Sequence, residues 1–323
     1  MSFDSMRSNE VIRNMTFYPA PVEKVLLSLA QDHNIVLTGP RGGGKSVVLH
    51  SYEKQQKGED EIAVGVRADL STHENLSDDK LSKHYELLLT EALRSYVSAN
   101  YGWNQQIKFK RLNQALEEAK EQLVMAMHCK YIRLDATNNI LVNDFLTSYI
   151  DAIKEHLNVK RVTLFVDRFD WLGDSSYRAQ KLMHEQLEKA DRFIITSDDN
   201  NLLNDKKDML EQNNVSAVVV NYGQDEQVAK EIVDRDFRYW QQEKYPRLLL
   251  PENMLSENAY HELIQKCNGN FNLLFAALKN SYESVFWLTK GIDKIPDKQV
   301  SASFVFAKKF QDKMMPRNTE LHL

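Results

Sequence analysis

The sequence predicts an α/β protein: a parallel sheet flanked by helices, with a helical insertion and a smaller all-helical domain. Three observations predict it. Short apolar runs without alternation recur between residues 35 and 220, the pattern of strands buried on both faces. Helical periodicity fills the intervals between them. A glycine-rich octapeptide follows the first of these runs directly.

Val22, Val25, Leu26 and Leu29 form one apolar helix face ahead of the first strand, residues 35–38. Buried strands are predicted at residues 163–166, 193–195 and 217–220, with further candidates at 62–66 and 131–134. Val142, Phe145, Leu146, Tyr149, Ile150 and Ile153 recur at helical spacing before the 163–166 strand. Strands alternating with helices read as βαβ units. Residues 78–127 break that rhythm and read as two long helices. Leu81, Tyr85, Leu88, Ala92 and Tyr96 mark the first; Leu112, Leu116, Ala119, Leu123 and Met127 mark the second. After Asp225 no buried strand recurs. Val228, Ile232 and Trp240 line one helix there, and Leu274, Leu278, Val285 and Leu288 another. The expected division is a core at residues 1–224 and a helical lid at 225–323.

A chain of 323 residues is long enough for one large or two modest cores. No run of about 18 apolar residues appears, and Met1 to Arg7 lack the features of a secretory signal. Cys129 and Cys267 lie far apart, which fits a reducing cytosol better than a disulfide framework. His128 beside Cys129 has no second Cys/His pair to complete a metal site. The net charge of −5 is not that of a dedicated nucleic-acid binder. Any DNA contact has to come from a local patch or from many subunits together. The expected location is cytoplasmic, or nucleoid or nuclear if the chain associates with DNA.

Gly39-Pro40-Arg41-Gly42-Gly43-Gly44-Lys45-Ser46 fits GxxxxGK[ST] at every position. Glycines let backbone N–H groups turn inward as an anion nest, and a helix starting near Ser46 adds its N-terminal partial charge. Lys45 is expected to reach the β- and γ-phosphates of ATP, and the Ser46 hydroxyl to ligate magnesium. Val47 completes the expected nucleotide-binding set. Magnesium also needs a carboxylate. Asp167 closes the apolar run Val162-Thr163-Leu164-Phe165-Val166, where a parallel strand delivers an acid to the sheet edge that holds the loop. Helix capping, the alternative role for Asp167, suits Asp170 and Asp174 better.

These residues together resemble the AAA+ ATPases, particularly the origin-recognition-type initiators and the related STAND switch ATPases. The resemblance runs from about Phe17 to Met315. GPRGGGKS is similar to the initiator form of the loop, and Phe165-Val166-Asp167-Arg168-Phe169-Asp170 resembles the "(L/V)DEFD" of that group. Residues 193–198 fall where the family has its sensor 1 strand. Cys267-Asn268-Gly269-Asn270-Phe271-Asn272-Leu273-Leu274 resembles the "GGNPRLL" that opens the last lid helix. Several positions depart from the family pattern. Arg168 stands where the water-polarising glutamate is usual, Asp198 where sensor 1 offers asparagine, and Asn272 where sensor 2 offers arginine. Between Asp199 and the strand at 217 only Lys206 and Lys207 are cationic, so no arginine finger is present there. Asp170 is the surrogate base that the STAND pattern implies. The resemblance therefore implies ATP binding with slow hydrolysis. A complete winged helix does not fit after the lid helix.

Two functional readings follow. The first is a nucleotide-dependent switch or loader in a DNA transaction. It draws on the resemblance and on two patches: Tyr101, Trp103, Lys108, Phe109, Lys110 and Arg111, and Lys308, Lys309, Lys313 and Arg317. The second is a STAND-like ATP-dependent protein-interaction switch in signalling or defence against mobile elements, whose insertion docks a partner; the expected associations are with a protein partner or with further copies of the chain. A processive motor is disfavoured by the altered catalytic positions.

Overall fold

A computed structural model describes residues 20–30, 33–55, 60–67, 76–128, 144–169, 176–198, 215–220, 222, 225–243, 249–288 and 295–314. The strand candidate at 131–134 lies outside them, as do Cys129, Asp170, Asp174, Asp199, Lys206, Lys207 and Arg317. The chain falls into two compact units: Ser28–Thr38 with Ser51–Val219, and Met1–Leu27 with Gly39–His50 and Val220–Leu323.

The first unit holds the sheet. Its strands are β1 (Asn34–Thr38), β2 (Glu61–Arg67), β3 (Arg161–Asp167), β4 (Arg192–Ser197) and β5 (Val215–Val219). They lie in the order β2-β3-β4-β1-β5, and every neighbouring pair is parallel. The register sets Thr38 beside Ser197 and Val166 beside Ile195, so β1, β3 and β4 end along one edge. The inner strands are buried over nearly their whole length. That explains their unalternated Val/Ile/Leu/Phe runs. On the outer strand β5, Val219 stands exposed.

Helices of this unit are α3 (Asp78–Asn100), α4 (Trp103–Gln106), α5 (Lys110–His128), α6 (Phe145–Leu157) and α7 (Ser176–Leu187). They follow α1 (Ala20–Leu29) and α2 (Lys45–Gln55) in chain order. Asp144 caps α6 through Thr147 N at 3.0 Å, and Asn158 closes it in the left-handed region at φ 58°. The insertion is α3, α4, a 3₁₀ turn at Ile107–Phe109 and α5. Helix α3 packs on β2, α6 and α7 and also on α5. It therefore buries two faces where the sequence suggested one. Leu81, Tyr85, Leu89, Leu93, Tyr96 and Val97 join the sheet core, while Leu87 packs with Leu116, Ala119 and Leu123. Leu88 and Ala92 sit between the two faces and are only partly buried. The buried carboxylate of Glu86 fastens α3 to the start of α6. It accepts Phe145 N at 2.8 Å and Lys83 Nζ at 2.9 Å.

The second unit is helical among its described residues beyond Tyr222. It contains α8 (Glu226–Glu243), α9 (Pro251–Met254), α10 (Glu257–Cys267), α11 (Phe271–Leu288) and α12 (Asp297–Met314). Helix α10 packs on α8, α11 and α12, and α11 packs along α12. Ser256 starts α10 by accepting Ala259 N at 3.1 Å, and its hydroxyl donates to Asp297 at 2.8 Å. Among the described residues no helix is long and apolar enough to cross a membrane.

Candidate functional site

The glycine-rich loop leaves β1 at Thr38 and enters α2 at Lys45. Gly43 N donates to Pro40 O at 2.9 Å, closing the turn, and Val48 N donates to Gly44 O at 3.1 Å, opening the helix. Two glycines are required by geometry. Gly39 has φ 146°, and a Cβ there would lie 2.0 Å from Val220 O. Gly42 has φ 77°, and its Cβ would lie 2.3 Å from Asn270 Oδ1. Both φ values disfavour any residue with a side chain. Lys45 is buried, and its ammonium donates to Gly39 O at 2.7 Å and Pro40 O at 3.0 Å. These bonds fold the cation back over its own loop. Pro40, Arg41, Gly42, Gly44 and Ser46 are partly exposed, and Gly43 is buried. Val47 lies in α2.

The same unit sets the lid against this loop. Helix α10 ends at Asn268, left-handed at φ 44°, and Asn270 N returns to Cys267 O at 2.9 Å. Asn270 Oδ1 then caps α11 through Leu273 N at 3.0 Å. The first residue of α11, Phe271, donates its N–H to Gly42 O at 3.0 Å. Asn272 Nδ2 lies 3.2 Å from where a Cβ on Gly42 would sit. Asn272, matched to sensor 2 by resemblance, is thus at the glycine-rich loop. Burial pushes the neighbouring Cys267 thiol up to about 12, so it is a packing residue and not a nucleophile.

Tyr222 completes this part of the site. Its ring passes 3.5 Å from the Cβ position of Gly44, and its buried hydroxyl has no hydrogen-bond partner among the described residues. Burial raises its pKa far above the ordinary phenol value, so it stays a neutral donor. The loop's positive-φ turns, the Lys45 cation, the N-terminus of α2 and this unused hydroxyl all fit a phosphorylated, hydrogen-bonding ligand.

The first unit carries the acidic candidates. Asp167 ends β3, and its Oδ1 accepts the Thr196 hydroxyl at 2.7 Å. Thr196 Oγ1 in turn accepts Arg168 N at 2.7 Å. Arg168 is left-handed at φ 62°. Asp198 follows the last residue of β4 and is partly exposed. Asp170 lies outside the described residues. Among the described residues no cluster of three or more metal-ligating side chains occurs. Sequence reasoning missed Thr196, Tyr222 and the capping role of Asn270. Thr196 could have been flagged as a hydroxyl inside an otherwise apolar strand end.

Of the two basic patches, Lys108, Lys110 and Arg111 are exposed, as are Lys308 and Lys309 on α12. Lys313 lies in α12, but its side chain falls outside the description. Phe109 is wholly buried against Tyr149 and His156, and Tyr101 is half-buried beside Tyr96. Trp103 is therefore the exposed aromatic of its patch.

A five-stranded parallel sheet of this order, with a glycine-rich GxxxxGK[ST] loop after β1, defines a P-loop α/β protein. The fold is similar to that of the Aeropyrum pernix Orc1 protein in complex with DNA, with a TM-score of 0.51 at 10% identity over 98% of this chain and 73% of that one. Domain III of the Thermotoga maritima replication initiation protein DnaA gives a TM-score of 0.44 at 13% identity, over 93% of this chain and 95% of that one. No protein-family model matches the chain, and no curated protein matches it in sequence.

Proposed function

We propose that this chain is an ATP-binding switch or loader acting in a DNA transaction, with slow hydrolysis. The observation that carries the switch is the bond from Phe271 N to Gly42 O. The loop that would cradle the phosphates is hydrogen-bonded to the first residue of the lid helix. Any adjustment of the loop around a phosphate therefore acts on the lid directly. Backbone N–H groups of the loop not already bonded within it would supply donors, with Gly39, Pro40, Arg41, Gly42, Gly43 and Gly44 shaping the cradle, Lys45 supplying the cation, and Ser46 and Val47 completing the nucleotide-binding set. Ser46 and Asp167 would hold magnesium, which offsets charge on the phosphates when bound. Asp198 and Asp170 remain candidate acids for positioning water.

DNA as the partner rests on the sequence resemblance to initiators and on the exposed cations of the two patches. A second reading, a STAND-like protein-interaction switch, uses the same loop–lid bond and suits the net charge of −5. Calorimetry with magnesium–ATP tests the common ground. Wild type is expected to bind, and Lys45→Ala to lose measurable affinity while keeping a native circular-dichroism spectrum. Equal affinity in the two proteins would remove the nucleotide assignment. ATP-dependent DNA binding, with its salt slope, then separates the two readings.

A further inference from the structure

The tip of the helical insertion has a charge pattern unlike the rest of the chain. Residues 92–116 contain no Asp or Glu, although the chain as a whole carries a net charge of −5. Four cations lie in that stretch. Arg94 is neutralised by Glu91 at 3.1 Å and by Glu117. Lys108, Lys110 and Arg111 are exposed and have no ion pair among the described residues.

Beside them Trp103 is 74% exposed and Ile107 is 52% exposed. Trp103, Ile107 and Arg111 all stand exposed within a run formed by α4, the 3₁₀ turn and the start of α5. Phe109 is buried and anchors the tip in the core. The turn is stitched at its base. Gln106 Nε2 donates to Ser98 O at 3.0 Å and to Tyr101 O at 2.6 Å, while Gln105 N and Gln106 N both donate to Gly102 O. A surface already held in shape loses little freedom on binding.

We propose that this tip is a contact for single-stranded nucleic acid, with Trp103 stacking on a base and Lys108, Lys110 and Arg111 on the flanking phosphates. The proposal deepens the DNA reading above and rests on it. An exposed indole among three unpaired cations matches a strand that offers both open base faces and closely spaced phosphates. A duplex keeps its base faces stacked away. An anionic membrane surface would be held by more apolar area than one Trp and one Ile provide.

The test is fluorescence anisotropy of a labelled oligo-dT of about 20 nucleotides, titrated with the full chain with and without magnesium–ATP. Trp103→Ala is expected to weaken binding at least about fivefold, the low end for loss of one stacked base, while Trp103→Phe keeps most of the affinity. The triple variant Lys108→Gln/Lys110→Gln/Arg111→Gln is expected to flatten the log–log salt slope by about 2, near 0.7 for each phosphate released. All four side chains are exposed, so circular-dichroism melts should coincide with wild type. Affinity unchanged in every tip variant overturns the tip while leaving DNA binding elsewhere intact. Absence of oligonucleotide binding by wild type overturns the tip, and absence of duplex binding as well overturns the DNA reading. Duplex binding that ignores Trp103 overturns the proposal, as does Trp103-dependent binding to phosphatidylserine vesicles without oligonucleotide binding.

Discussion

The hydroxyl of Thr196 joins the end of β4 to Asp167 at the end of β3, donating to Oδ1 at 2.7 Å while it accepts the backbone N–H of Arg168. One wholly buried side chain thus orients the candidate metal carboxylate and satisfies a strained backbone. Thr196→Val keeps the shape and removes both bonds. It should cost about 1–3 kcal/mol in urea denaturation, because a part-buried donor is left without a partner. It should also weaken magnesium-dependent ATP binding several-fold, with Thr196→Ser restoring most of it. A valine variant indistinguishable from wild type in both measurements would show that the bond positions nothing.

Gly42 and Asn270 form a second coupled pair. Asn270→Ala alone removes the cap of α11 and should cost about 1 kcal/mol. Gly42→Ala alone forces a Cβ into φ 77° and against Asn270 Oδ1, so its cost should exceed the 1–2 kcal/mol of a left-handed alanine. In the double variant the clashing oxygen is gone. The double variant should therefore lose less than the sum of the two single losses, with a coupling of about 0.5–3 kcal/mol. Strict additivity in a double-mutant cycle would mean that loop and lid helix do not press on each other in solution.

Glu86 anchors the insertion. Burial lowers the pKa of Lys83, and the Glu86 carboxylate opposes that shift. Glu86→Ala removes the carboxylate from both the Lys83 ammonium and the Phe145 N–H, and should destabilise by about 3–5 kcal/mol. Replacing both charges, as Lys83→Met/Glu86→Leu, should recover the part of that loss due to the charge, while the Phe145 N–H still lacks its acceptor. A single variant as stable as wild type in denaturant would refute the anchoring role.

What the sequence made legible was local. The glycine-rich loop between β1 and α2 could be read because it sits in eight consecutive residues, and the inner strands because burial on both faces leaves unbroken apolar runs. The Asn270–Asn272 turn was visible only through its resemblance to the family's lid motif, and the bond by which Asn270 caps α11 was not. Nor was Thr196, because its partner lies 29 residues away on another strand and only the sheet register unites them. At the insertion tip, Phe109 and Trp103 looked equivalent. The 3₁₀ turn at Ile107–Phe109 winds at about three residues per turn and shifts the helical phase, which carries Phe109 inward. The two-sided burial of α3 was hidden for a related reason, since the face taken by α5 depends on how the insertion folds back.

The rate of hydrolysis is the final prediction. Arg168 occupies the position where the family resemblance implies a water-polarising glutamate, and its backbone is held left-handed by the Thr196 bond. Asn272 stands at the glycine-rich loop in place of the arginine implied for sensor 2. Groups that stabilise transition-state charge are worth orders of magnitude in rate, whereas binding relies on the loop and Lys45. The isolated protein should therefore turn over ATP more slowly than about 1 s⁻¹, the low end of ordinary enzyme rates. Arg168→Glu restores the usual acid but no arginine, so its gain should stay within about tenfold, less than one missing charge-stabilising donor costs. A steady-state assay over a protein concentration series, repeated with DNA added, separates the remaining cases. Faster turnover by the isolated chain would refute a slow switch. Slow turnover alone that rises steeply with concentration or with DNA would mean that a second copy or the bound strand completes the site, as arginine donated in trans does for other P-loop ATPases. Slow turnover under every condition would make the ATP-loaded state itself the signal, with the Gly42–Phe271 bond as its route to the lid.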